Sequence, residues 1–246
     1  EDFIIHGPDG ESPLLFTQDP SGKFASTPLF GLASIEKATI DDHTVFDIDK
    51  DGDADVLFLF NYDDYRNNRY YGKIIVLKNN GKGDFEEDHT LFPVLNSQAH
   101  LLQPIDANND GHLDLFVAGK TKIQSYPFAD PSYFFENKEG VFENQTEQVF
   151  ESDTPKGGIN TVVTTDFNED GYADLIVGSP FYPLQFFEND QQGYFKLATP
   201  EVLKSVSGWW QNIHAVDYDQ DGDTDYLIGN LGQNNAFNIS KEHPIT

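Results

Sequence analysis

The chain has 246 residues, with 15 Lys and Arg against 42 Asp and Glu, a formal net charge of −27, no Cys and no Met. So few cations cannot build a phosphate-neutralising surface, which argues against nucleic acid as a partner, and the missing cysteines exclude disulfide scaffolds, thiolate zinc sites and cysteine nucleophiles together. No stretch reaches the ~18 to 20 consecutive apolar residues of a membrane-spanning helix, while 21 Phe and 11 Tyr argue against a disordered acidic chain.

From the start of the chain, Asp2-Phe3-Ile4-Ile5 is a short apolar run, and Leu15-Phe16, a polar Gly-bearing turn and Phe24 form a hairpin signature. The acidic loop Asp47-Ile48-Asp49-Lys50-Asp51-Gly52-Asp53-Ala54-Asp55 then leads into the apolar run Val56–Phe60, and a second hairpin signature runs from Val76-Leu77 to Phe85. The same order recurs as loop Asp106–Asp114, apolar run Leu115–Val117 and hairpin Phe134-Phe135 to Phe142. It recurs again as loop Asp166–Asp174, run Leu175–Val177 and hairpin Phe186-Phe187 to Phe195, and ends with loop Asp217–Asp225 and run Tyr226–Ile228. Loop starts are 59, 60 and 51 residues apart. Short apolar runs bounded by turn residues read as buried strands, and the only helical candidates, 146–150 and 200–206, are single turns.

One unit is therefore strand, acidic loop, strand, hairpin, strand, about four strands in 50 to 60 residues, which is the spacing of propeller blades. The predicted fold is all-β: a β-propeller of four-stranded blades with Asp-rich calcium loops and at least four repeat units. It is one propeller region over 1–246, divided into a partial unit 1–46, units 47–105, 106–165 and 166–216, and a partial unit 217–246. Asp2–Ile5 resembles Asp174–Val177, and the strand after Asp225 repeats it, so both ends cannot supply it in a closed four-bladed ring. The chain, which opens at Glu1 with no basic, apolar leader, is expected to be a processed product or part of a six- or seven-bladed ring of roughly 350 to 400 residues.

Oxygen ligands at alternating loop positions 1, 3 and 5, then Gly at 6, describe a chain that bends around a hard cation; position 7 can offer its carbonyl and Asp at 9 can close the shell. Calcium fits best, because it takes six to eight oxygens in irregular geometry. The candidate ligands are Asp47, Asp49, Asp51, Asp53 and Asp55 in the first loop, and Asp106, Asn108, Asp110, His112 and Asp114 in the second. The third offers Asp166, Asn168, Asp170, Tyr172 and Asp174, and the fourth Asp217, Asp219, Asp221, Asp223 and Asp225, giving up to four ions. His112 and Tyr172 at position 7 suit a carbonyl ligand there. The carboxylate-richer first and fourth loops are expected to bind more tightly. An EF-hand needs a Glu at position 12, but Phe58, Val117, Val177 and Ile228 stand there. Ordinary Asp-Gly turns would explain one copy better than four at blade spacing.

These loops and the strands after them resemble FG-GAP or VCBS repeats, the calcium-binding blades of integrin α-subunit propellers and of many secreted bacterial proteins. Phe186-Phe187-Glu188-Asn189, Gly208-Trp209-Trp210-Gln211-Asn212-Ile213 and Ile228-Gly229-Asn230-Leu231-Gly232 are similar to the ASPIC/UnbV and cartilage-acidic-protein type. The resemblance implies an extracellular or cell-surface calcium-binding scaffold, periplasmic or on the outer surface if the source is bacterial.

Between the first loop and its hairpin, an insertion carries Tyr62, Tyr65, Arg66, Arg69, Tyr70 and Tyr71. Tyr and Arg dominate binding hot spots, so this is a candidate partner surface; the alternative is an elongated hairpin whose tyrosines cover a blade edge. At least one of Trp209 and Trp210 is expected in the core, since successive strand residues face opposite sides. His43, His100 and His214 precede loops at unequal offsets, which argues against a shared histidine site. Asn144-Gln145-Thr146 and Asn238-Ile239-Ser240 fit the glycosylation pattern.

The expected function is a non-catalytic scaffold that binds a protein or glycan at the cell surface. The alternatives are a carbohydrate-active propeller enzyme, a lyase or hydrolase, and a purely architectural subunit of a larger assembly; one propeller fold serves all three.

Overall fold

The computed structural model describes residues 2–6, 11–29, 38–64, 69–151 and 153–231. Each of the first three loops is followed by a run that is apolar in both registers of a period-two pattern, and the product is a strand buried on both faces. Three sheets are complete four-stranded meanders. The first contains β4 (Ala38–Phe46), β5 (Asp55–Asp64), β6 (Arg69–Asn79) and β7 (Phe85–Asp88). The second contains β8 (Ala99–Ile105), β9 (Asp114–Gly119), β10 (Tyr133–Lys138) and β11 (Val141–Asn144), and the third β12 (Thr161–Thr165), β13 (Asp174–Gly178), β14 (Gln185–Asn189) and β15 (Phe195–Leu197). Ahead of them lies a three-stranded sheet of β1 (Phe3–Ile5), β2 (Leu14–Gln18) and β3 (Phe24–Pro28), and after them a pair, β16 (Trp210–Val216) and β17 (Asp225–Asn230).

All pairings are antiparallel between chain neighbours. The opening strands stand side by side: β4 packs on β8, β8 on β12 and β12 on β16. Opening strands around one axis, with later strands stepping outward, make this a β-propeller. The four hairpin signatures are β2–β3, β6–β7, β10–β11 and β14–β15, and the two helical turns are α1 (Thr146–Phe150) and a 3-10 turn at Glu201–Leu203. Sequence units that begin at an acidic loop cut each blade between its first and second strands; the blades themselves start one strand earlier, at Ala38, Ala99, Thr161 and Trp210. No helix of the described residues is long and apolar enough to cross a membrane.

The alternation along β5 shows how blades are held together. Val56, Phe58 and Phe60 face the three-stranded β1–β3 sheet, where Ile4 and Leu29 meet them, while Leu57 and Leu59 face the next blade and pack with Leu115, Val117 and Phe135. The pattern repeats along β9 and β13, so each interface between blades is a separate apolar core. Between the second and third complete blades α1 inserts Phe150, 1% exposed, among Phe116, Phe134, Phe187 and Phe195. Phe150→Ala should cost about 3 to 5 kcal/mol, read from denaturant midpoints. A loss under about 1 kcal/mol would mean that this interface does not hold the blades together.

Candidate metal centres

The four acidic loops share one backbone. Position 4 is left-handed in each, at Lys50 (φ 60), Asn109 (φ 56), Glu169 (φ 60) and Gln220 (φ 61), and the Gly at position 6 has φ of 96, 79, 89 and 99. Left-handed backbone is costly for side chains other than Gly, so its recurrence at four different residue types reflects a constraint of the whole loop. Hydrogen bonds supply that constraint. The position-1 carboxylate accepts from the Gly N–H at position 6: Gly52 to Asp47 at 2.9 Å, Gly111 to Asp106 at 2.9 Å, Gly171 to Asp166 at 2.8 Å and Gly222 to Asp217 at 3.3 Å. The position-5 carboxylate accepts from the N–H at position 7, from Asp53, His112, Tyr172 and Asp223.

The Asp at position 9 ties the loop to its blade. One oxygen accepts from the position-2 N–H, as from Ile48 to Asp55 at 3.1 Å, Ala107 to Asp114 at 3.2 Å, Phe167 to Asp174 at 3.1 Å and Tyr218 to Asp225 at 2.9 Å. In the complete blades the other oxygen accepts from an Asn N–H at the end of the third strand: Asn79 to Asp55 at 2.8 Å, Asn137 to Asp114 at 2.8 Å and Asn189 to Asp174 at 2.7 Å. All three aspartates are buried. Burial pushes the Asp114 carboxyl up to about 7 and that of Asp174 up to about 6, and raises Asp55, even though two N–H donors pull each one down; nearby loop carboxylates add to the rise.

These bonds gather oxygens at one point. In the first loop Asp47, Asp49 and Asp55 each bring a carboxylate oxygen within 4.8 Å of the others, and in the fourth Asp217, Asp219 and Asp225 do the same. Asp51, Asp53, Asp221 and Asp223 stand outside those trios. The middle loops have Asn at position 3, and Asn108 and Asn168 turn an amide N–H toward Asp110 and Asp170. Asp47 Oδ1 and Asp106 Oδ1 are buried and accept no hydrogen bond. A buried carboxylate oxygen without a donor is costly, and a cation among positions 1, 3 and 9 would satisfy it. The residues present therefore fit a hard divalent ion.

The FG-GAP-like repeat pattern matches residues 106–177 and 166–228, together half of the chain. The chain belongs to the FG-GAP-like repeat family. No curated protein matches it. The two matched segments run from the second acidic loop to the strand after the fourth, and each FG-GAP-like unit begins with the loop just described.

Asparagine at the end of the third strand is the part of this FG-GAP-like site that sequence reasoning missed. Asn reads as an ordinary turn residue; the available signal was its recurrence two residues after an apolar pair, in Val76-Leu77-Lys78-Asn79, Phe134-Phe135-Glu136-Asn137 and Phe186-Phe187-Glu188-Asn189. The Tyr insertion resolves in part. Tyr65 and Arg66 lie outside the described residues, as does the Arg69 side chain. Tyr62 and Tyr71 pair across β5 and β6 and stack at 5.0 Å, which is the blade-edge role, while Tyr70 accepts a hydrogen bond from Gln124 at 3.2 Å.

Trp210 is in the core and donates to the Tyr182 carbonyl at 2.9 Å, whereas half-buried Trp209 lies edge-on to Phe181. His43 stacks on Phe58 and sits in the wall of a cleft of about 620 Å³; burial lowers its pKa. His100 faces Asp41 at 3.8 Å, and His214 is exposed. Asn144 bonds its own Thr146, and Asn238 lies outside the described residues.

A second feature without a repeat signal lies in connections following β9 and β13, at the strand ends remote from the loops. Tyr126, Phe128, Phe181 and Tyr182 line a cleft of about 520 Å³. Phe128 is 72% exposed and Tyr126 57%. Phe181, edge-on to both Tyr126 and Trp209, is left-handed (φ 70), an unusual state for a bulky residue, which is held only where surroundings over-determine it.

The raised carboxyls set a pH dependence. Without a cation, folded Asp114 keeps a proton between the ordinary 3.8 and about 7, where the unfolded chain has released it. The fold then binds more protons than the unfolded chain, so this group's contribution to stability falls as pH rises through that window. In chelator, the stability of the wild type relative to Asp114→Asn should decline between about pH 4 and pH 7, measured by calorimetry. A gap that widens with pH would contradict it.

Proposed function

We propose that the chain is a calcium-stabilised, non-catalytic propeller scaffold, extracellular or at a cell surface, that holds a protein or glycan partner on its aromatic end. The observation that carries the calcium part is the buried position-1 oxygen of Asp47 and Asp106, which has no donor although the other oxygen of each carboxylate accepts from a Gly N–H. Asp47, Asp49 and Asp55 would hold one ion and Asp217, Asp219 and Asp225 another, with Asp106, Asn108 and Asp114, and Asp166, Asn168 and Asp174, as weaker sites. Bound calcium supplies positive charge among crowded carboxylates. The chain's own residues do the rest: the Gly at position 6 turns the loop, and the position-9 Asp anchors it to the blade.

The partner side rests on the end opposite the loops, where Tyr126, Phe128, Phe181 and Tyr182 present exposed ring area and Tyr70 adjoins the same loop through Gln124. Aromatic side chains anchor interfaces at low entropic cost. The extracellular placement is supported by the likeness of residues 186–189, 208–213 and 228–232 to the ASPIC/UnbV type.

Chelation should lower the melting temperature, and calcium at about 100 times its Kd should restore about 2.7 kcal/mol per site. Asp49→Ala should remove the first loop's share while leaving a smaller calcium response. A melting curve indifferent to calcium and chelator would sink the metal reading. Separately, Tyr126→Ser with Phe128→Ser should abolish capture on a glycan array or in a cross-linking pull-down without moving the melting temperature. Unchanged capture would place the partner elsewhere.

A further inference from the structure

Resting on the calcium reading, we propose that Asn137 and Asn189 are positioning residues that transmit cation occupancy from one blade to the next, so that the first three loops fill cooperatively. Each of these buried amides is the joint of three segments. Asn137 Nδ2 donates to the Leu113 carbonyl of its own loop at 3.1 Å and to the Ile48 carbonyl of the preceding blade's loop at 3.0 Å. Asn189 repeats this with Ala173 at 3.0 Å and Ala107 at 2.7 Å. Their Oδ1 atoms accept from the hairpin turn, from Gly140 at 2.8 Å and from Gln191 at 3.0 Å. Their own N–H groups meet the position-9 aspartates. Every polar atom of the side chain is used, and each amide is almost wholly buried.

The geometry of the crossing contact matters most. Ile48 and Ala107 occupy position 2, so the carbonyls that are clamped belong to the peptide units leading directly into Asp49 and Asn108, the position-3 ligands. The hairpin turn of the following blade also leans on those ligands: a Cβ at Gly140 would stand 3.1 Å from Asp49 Cβ, and one at Gly193 would stand 3.6 Å from Asn108 Cβ. A second, exposed set of links runs in parallel. Lys50 Nζ donates to the Asp110 carbonyl at 3.2 Å and Asn109 Nδ2 to the Gly171 carbonyl at 3.0 Å. Position 4 of the first loop thus reaches position 5 of the second, and position 4 of the second reaches position 6 of the third. An ion that fixes positions 1, 3 and 9 of one loop orders the peptide held by the next blade's Asn, and through it that blade's own position-9 Asp. Ordering already completed by one ion lowers the cost for its neighbour, which is positive coupling without a change of fold.

The test is a calcium titration of the whole chain followed by two-dimensional NMR, with the amides of Gly52, Gly111 and Gly171 as reporters of the first three loops. Asp49→Ala should silence the Gly52 response and shift the Gly111 midpoint at least ~5-fold toward higher calcium, although no second-loop donor has been touched. In an Asn137→Ala background, Asp49→Ala should no longer move the Gly111 midpoint, so that the loops titrate independently. Because Asn137 is buried, the exposed pair Lys50→Met and Asn109→Ala serves as a second cut and should lessen the ~5-fold effect. A Gly111 midpoint unmoved by Asp49→Ala, with Gly52 silent, overturns the coupling and leaves calcium binding intact. Wild-type glycines that ignore calcium overturn the calcium reading itself, and the coupling with it.

Discussion

The hydrogen bonds that a buried aspartate accepts from two directions are the constraint on which this structure depends. Asp55, Asp114 and Asp174 each take one N–H from the start of their own loop and one from the Asn that ends the third strand. The loop, the second strand and the hairpin are thereby fixed to one another at a point where no apolar side chain could do the same. The carboxyl is buried and near other carboxylates, so its charged form is disfavoured and its pKa rises. Neutral donors stabilise such a group only in part. A divalent ion in the same loop would offset the remaining cost, so the geometry and the charge lead to the same proposed ligand.

The two ends of the propeller are built differently. At the loop end, short polar contacts repeat with little variation from blade to blade, because every copy solves the same problem of turning a chain around clustered oxygens. At the other end the connections vary in length: the β5–β6 hairpin is extended, residues 120–132 form an ordered excursion tied by the Lys122–Phe128 and Lys120–Asp130 backbone bonds, and residues 179–184 carry Phe181 and Tyr182. Variable connections on a repeated scaffold are where recognition can differ without disturbing the blades.

Much of the fold was legible because it is written in local chemistry. Strands such as Val56–Phe60 are apolar in both registers, Gly fixes the loop and hairpin turns, and repetition supplies the blade count. The first-strand boundary was displaced because Ala38–Phe46 and Ala99–Ile105 carry mixed polar residues, with an extra residue in each strand at Asp41 and His100, which blurs the alternation. The loop bends and their clustered oxygens were legible from spacing; the separate role of position 9 as a bracket to the hairpin was not, since its second partner lies 15 to 24 residues away along the chain. The aromatic cleft left no repeat signal, because Tyr126, Phe128 and Phe181 lie in connections that the blades do not share. Of the tyrosines in the insertion, Tyr62 and Tyr71 stack on each other across a hairpin.

The most direct measurement of the central claim is anomalous diffraction from crystals grown in calcium. A calcium peak should lie about 2.3 to 2.6 Å from Asp47 Oδ1, with Asp49 and Asp55 in its coordination shell and Asp55 still accepting from Ile48 and Asn79. Calcium-saturated crystals with no peak in any of the four loops, and Asp47 Oδ1 bonded to a protein donor instead, would contradict it.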